Sequence, residues 1–307
     1  MAQMDFGVGV HPTPRGGTVP AMQAMNERLL AAATEHDLSC WVIDHFQFDA
    51  QPVFECYAFL AYHAGKYPGL RWGNLVLGQG YRNPALTAKI AASLQFLTGG
   101  RYILGIGAGW KEDEYRAYGY DFPPARVRIG QLEDAVKICK LMWTGGPVSY
   151  AGKYYQIEDA YCMPAPEPPP PIMIGGAGEQ RTLRVVAQYA DWWNADYYSP
   201  DDYARKLAIL RDHCRAVGRA EDAVLPTCYM GVSVSHDPSK LIRRPPVMGR
   251  PDMYVISGNP DEVTEQIEVF ARIGVKHMQI NFLDFPRTDG LDLFLSDVLP
   301  RFTRIGT

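Results

Sequence analysis

Short apolar runs alternate from one end of the chain to the other with longer stretches in which apolar residues recur every three or four positions. The first kind reads as buried strand and the second as amphipathic helix. Strands are predicted at 5–10, 40–43, 72–77, 102–106, 172–174, 192–195, 225–234 and 277–282. Their regular alternation with helices predicts parallel βαβ units, and eight such strands close a (β/α)8 TIM barrel. The helix after the third strand is the most legible. Asn83 suits its cap and Pro84 its first position, Leu86, Ile90, Leu94 and Leu97 recur at helical spacing, and Gly99 and Gly100 end it. Two insertions interrupt the repeat. The one after strand four holds a helix at 126–143, a hairpin at 148–156 and a stiff proline tract at 164–171, and the one after strand seven is an irregular segment at 236–252.

Composition narrows the class. With 307 residues, 47% hydrophobic and 21% charged, the chain reads as one globular barrel domain spanning 1–307. A net charge of -4 gives no general attraction to nucleic acid or to anionic membranes. No basic and apolar leader opens the sequence and no long uncharged apolar run follows, which points to a cytoplasmic protein. The six cysteines form no C-x-x-C pair, so buried free thiols are expected rather than zinc or disulfides.

In a parallel barrel the chemistry lies at the carboxyl ends of the strands. Those positions hold His11, then Asp44 and His45, Gly78 to Arg82, Gly107 to Trp110, Gly175 to Gly178, Asn194 with Asp196, and Asn281. Two glycine-rich turns compete as phosphate cradles. The turn through Gly105, Gly107, Ala108 and Gly109 runs into Glu112, Asp113 and Glu114, which would repel an anion and read as a solvated helix start. The turn Gly175-Gly176-Ala177-Gly178 opens a helix carrying Arg181 and Arg184, so the phosphate is expected there. The Asp44-His45 pair reads either as acid–base machinery or as a hydrogen-bonded strand end, and His11 alone reads as structural. Lys240, Arg243, Arg244 and Arg250 fall in a stretch without acids, either a basic lid or a solvated loop.

The runs Tyr81-Arg82-Asn83-Pro84-Ala85, Leu97-Thr98-Gly99-Gly100-Arg101, Leu104 to Trp110, Phe122-Pro123-Pro124 and Ile174 to Gly178 resemble the luciferase-like flavin and F420-dependent oxidoreductases, closest to an F420-dependent branch. The resemblance covers nearly the whole chain. It implies coenzyme F420, with FMN as the alternative, lying across the barrel mouth with its phosphate at Gly175, Gly176, Ala177 and Gly178. It further implies that Asp44 and His45 contact the ring, His45 as proton donor, that a cis peptide at Leu75-Val76 supports it, and that Gly78, Ala108 and Gly109 border it. His11, Trp110 and Asn194 are then expected to meet the substrate. Sugar-phosphate dehydrogenases of this family carry a catalytic glutamate where this chain has Trp110. Glucose-6-phosphate is therefore disfavoured, and an apolar or aromatic substrate fits better. The implied activity is hydride transfer by a homodimer. An FMN monooxygenase, a non-catalytic flavin binder and an unrelated barrel hydrolase remain alternatives.

Overall fold

The computed structural model describes residues 4–15, 17–244 and 253–302. Its frame is a closed parallel barrel of eight positions: β1 (Asp5–Gly9), β2 (Ser39–Val42), β3 (Trp72–Asn74) resumed as β4 (Leu77–Gly78), β5 (Tyr102–Gly107), β8 (Ile172–Gly175), β9 (Trp192–Asp196), β10 (Leu225–Val234) and β12 (His277–Phe282). Closure runs through β12, which pairs with both β1 and β10, while β10 pairs with β9. The predicted strands are all present. The third differs in one respect, because pairing breaks at Leu75–Val76, whose peptide bond is cis.

Among the described residues, seven helices of eight or more residues pack around the barrel: α1 (Val19–His36), α2 (Cys56–Lys66), α3 (Pro84–Leu97), α5 (Ala125–Met142), α6 (Thr182–Tyr189), α7 (Pro200–Ala216) and α8 (Pro260–Ile273); α4 (Glu112–Ala117) is a short one at the rim. Their starts are written locally. Asn259 and Glu262 close a capping box on α8, and the Asn83 side chain accepts from Ala85 N on α3. The buried face of α3 keeps only part of the predicted apolar stripe. Ala88, Ala91, Ala92 and Leu94 face inward, while Leu86 and Leu97 are 52% and 78% exposed. Small alanines let the helix approach its neighbours closely, so the larger residues beside them turn outward.

The first insertion holds the antiparallel hairpin of β6 (Val148–Ala151) and β7 (Gln156–Ala160), longer than expected. Asp134 on α5 anchors it by accepting from Tyr150 Oη and Tyr154 N, both at 2.8 Å. The second insertion returns as β11 (Val255–Gly258), a strand not foreseen, which pairs in parallel with the outer half of β10. All six cysteines are buried and free.

Candidate active site

Two strand ends meet on one side of the mouth. His45, three residues beyond β2, is 9% exposed, and its Nδ1 lies 2.8 Å from Glu114 Oε2. The other carboxylate oxygen of Glu114 accepts from Phe46 N at 2.6 Å, so one acid grips both the imidazole and the backbone beside it. Glu114 stands in the first turn of α4 and is fully buried. The solvated helix start expected of the three acids thus holds only for Glu112 and Asp113. Glu112 pairs with Arg116 and Asp113 with Lys111, which leaves Glu114 with neither of the two basic residues of this segment. That unmatched charge was the one available signal for a residue the sequence reading missed. A buried carboxylate against Nδ1 favours the Nδ1–H tautomer and leaves Nε2, which has no hydrogen-bond partner among the described residues.

Asp44 does not share this work. Its carboxylate receives Arg82 Nη1 and Nη2 at 2.8 and 2.9 Å and Gly78 N at 3.0 Å. Asp44 therefore ties β2 to the segment after β3, its carboxylate engaged by three donors. Between these strands Val76 projects toward β5 and β8. A Cβ on Gly107 or Gly175 would stand 2.9 or 2.7 Å from its methyl, and one on Gly105 only 1.8 Å from Asn74 O. The G-x-G spacing of β5 is thus set by close approach to Asn74 and Val76. Trp110, 58% exposed, presents an edge-to-face contact to His45 at 5.6 Å, with Ala108 and Gly109 between β5 and it.

The glycine turn after β8 opens an adjoining cleft of about 590 Å³, lined in part by Ala177, Gly178, Arg181 and Lys206. Gly176 has a φ of 118°, open to glycine at little cost, and its N–H is committed to Asn194 O at 3.0 Å. The donors left to an anion begin at Ala177. Lys206 Nζ donates to Ala177 O at 3.1 Å, and Glu179, the one acid of the turn, is paired with Arg205 and Lys206. Arg181 and Arg184 are exposed at the start of α6.

The substrate residues fare unequally. Asn194 is buried, and its Nδ2 donates to Thr227 Oγ1 and Gln279 Oε1, both at 2.9 Å. These bonds make it a strut of the barrel interior. His11 is buried against Phe285 with its backbone fixed by Asn26. Burial first, and the nearby Arg15 second, hold its pKa well below the usual 6.5, so it stays neutral. Arg250 lies outside the described residues, while Lys240, Arg243 and Arg244 are exposed. Among the described residues no cluster of three or more His, Cys, Asp or Glu could hold a metal, and no helix is long and apolar enough to cross a membrane.

A closed parallel barrel with a histidine and a glycine turn at its carboxyl rim has the architecture of a (β/α)8 enzyme, whose chemistry lies at that rim. The luciferase-like monooxygenase family profile matches residues 4–245, and the chain belongs to that family. It is 25% identical over 302 residues to an F420-dependent glucose-6-phosphate dehydrogenase of Amycolatopsis mediterranei, covering 87% of this chain and 91% of that one. It is also 34% identical over 186 residues to a phthiodiolone/phenolphthiodiolone dimycocerosates ketoreductase of Mycobacterium kansasii, covering 58% and 48%. In fold it is similar to an F420-dependent secondary alcohol dehydrogenase bound to an F420-acetone adduct, with a TM-score of 0.83 at 18% identity over 98% and 99% of the chains. The EDTA monooxygenase of Chelativorans sp. BNC1 is similar at a TM-score of 0.80 and 15% identity, covering 98% and 93%.

Proposed function

We propose that this protein is an F420-dependent oxidoreductase that moves a hydride between the deazaflavin and a small organic substrate with an apolar or aromatic body. The observation that carries the reading is His45, oriented by the buried Glu114 at the mouth of a luciferase-like barrel. The F420-dependent relatives support the choice of cofactor.

The residues present fit such a cofactor. Gly107 and Gly175 clear the space into which Val76 pushes beneath a ring, and the N–H groups from Ala177 onward, with Arg181 nearby, suit a phosphate. When bound, the deazaflavin supplies or accepts the hydride. The protein does the rest. Glu114 fixes the imidazole, His45 Nε2 holds or receives a proton at the mouth, and Trp110 walls the substrate side. Glucose-6-phosphate, the substrate in the relatives' name, is not carried over, because the indole of Trp110 offers no carboxylate. The reading includes a cytoplasmic location and a homodimer, and the exposed Leu86, Phe96 and Leu97 on α3 support the second of these.

The test is a parallel titration of the purified protein with F420 and with FMN, followed by fluorescence. Tight F420 binding with weak FMN binding is expected. The reverse order would move the protein to oxygen-using flavin chemistry.

A further inference from the structure

The rim around β9, β10, β12 and the loop after β1 is unlike the side that carries His45. Arg15 reaches across from that loop, its Nη1 donating to Asn281 Oδ1 at 2.6 Å. A guanidinium only donates, so this bond fixes the orientation of the Asn281 amide. Its Nδ2 then donates to Tyr197 Oη at 2.9 Å. Tyr197 is thereby an acceptor on that side, and its own O–H proton is left to point elsewhere. Tyr229 packs edge-on to Tyr197 at 5.4 Å, with its hydroxyl beside Gly9. That hydroxyl makes no hydrogen bond among the described residues.

Arg15 is partly buried and pairs with no carboxylate among the described residues. It holds a left-handed backbone, φ 48°, which an arginine adopts at a cost. A partly buried cation with no carboxylate beside it among the described residues lacks part of the compensation that buried charges ordinarily have. One Asn281 contact uses one of its five N–H donors. The remaining donors and the two tyrosine hydroxyls suit an oxyanion supplied from outside the chain.

We propose that this half of the mouth is the substrate's anion site, and that the substrate carries a carboxylate received by Arg15 with Tyr197 and Tyr229. The inference rests on the oxidoreductase reading of the mouth. A carboxylate matches the planar fork of the guanidinium and its single charge. A phosphate monoester brings more negative charge than one cation offsets. His11 adds none, since burial and Arg15 keep it neutral. The substrate thus presents an oxyanion to the β12–β1 side and its reacting carbon toward His45 and Trp110.

Binding of cinnamate and benzoate, each against its primary amide, is measured by calorimetry on cofactor-free and on F420-saturated protein. The carboxylates are expected to bind about tenfold or more tighter than the amides in the wild type. Arg15→Gln should abolish the preference, and Arg15→Lys should retain part of it. Amides that bind as tightly as the acids, no binding of either, or a preference that survives Arg15→Gln would overturn the proposal. Should Arg15→Gln fail to fold, Tyr197→Phe keeps the ring and should lose carboxylate affinity several-fold; unchanged affinity would again overturn it. If F420 itself fails to bind the wild type, the cofactor reading falls, while the preference on cofactor-free protein still decides the anion site.

Discussion

His45 and Asp44 stand side by side in the sequence and do different work in the structure. The imidazole is held by Glu114 at its Nδ1, and the Asp44 carboxylate is consumed by Arg82 and Gly78 N. Replacing His45 by Asn should therefore lower kcat by about 10²- to 10⁴-fold, while F420 affinity stays within roughly tenfold by fluorescence titration. A collapse of affinity with normal turnover in the loaded fraction would make His45 an anchor. Glu114→Ala leaves Phe46 N–H and the imidazole without their acceptor, and kcat should fall by about ten- to hundredfold. Glu114→Gln, which keeps one acceptor oxygen, should recover part of that loss; equal loss in both variants would point to misfolding. The strand ends were legible from the sequence, and so were the residues standing on them. The partners were not, because Glu114 lies 69 positions from His45 and only the folded barrel brings them together.

At the level of elements, local signals and long-range packing separate cleanly. The cap of α3 and the glycines that end it are written in neighbouring residues, so its bounds could be read directly. Its buried face is chosen by what lies beneath it, and the alanines won over Leu86 and Leu97. Gly105 shows the same dependence, since its lack of a side chain answers to Asn74 O on the adjacent strand. Gly105→Ala should lower unfolding stability by about 3 kcal/mol or more in urea titrations, and an unchanged midpoint would show that the bulge can shift. For the turn ahead of α6, Ala177→Asp places a carboxylate among the donors expected to meet the phosphate. F420 affinity should drop tenfold or more, while a phosphate-free deazaflavin binds almost as before. Equal loss of both ligands would move the phosphate elsewhere.

Across the whole molecule, buried histidines set the response to acid. Burial, with Arg71 a lesser cause, takes the His277 pKa down to about 3, and burial likewise lowers that of His11. In the unfolded chain both titrate near 6.5, so below that pH the unfolded state binds more protons. Stability is complete above about pH 6.5. It falls as pH drops toward 3, by roughly 1.4 kcal/mol per unit for each histidine that stays neutral in the fold. Urea midpoints measured from pH 7 to 5 should follow this slope, and His277→Gln should flatten it; an unaltered slope would remove His277 as a cause. The same outer view bears on assembly: Phe96→Glu with Leu97→Glu should turn a dimer into monomers in sedimentation without altering circular dichroism. The bond between Arg15 and Asn281 spans 266 positions, whereas His45, Glu114 and the glycine turn all fall between 45 and 178. During vectorial synthesis the half of the mouth around His45 can therefore assemble early, with β1 still bare along the edge that β12 will cover. Only the emergence of β12 from the ribosome joins the two ends of the chain, so the nascent protein can bring His45 and Glu114 together well before Asn281 arrives to meet Arg15.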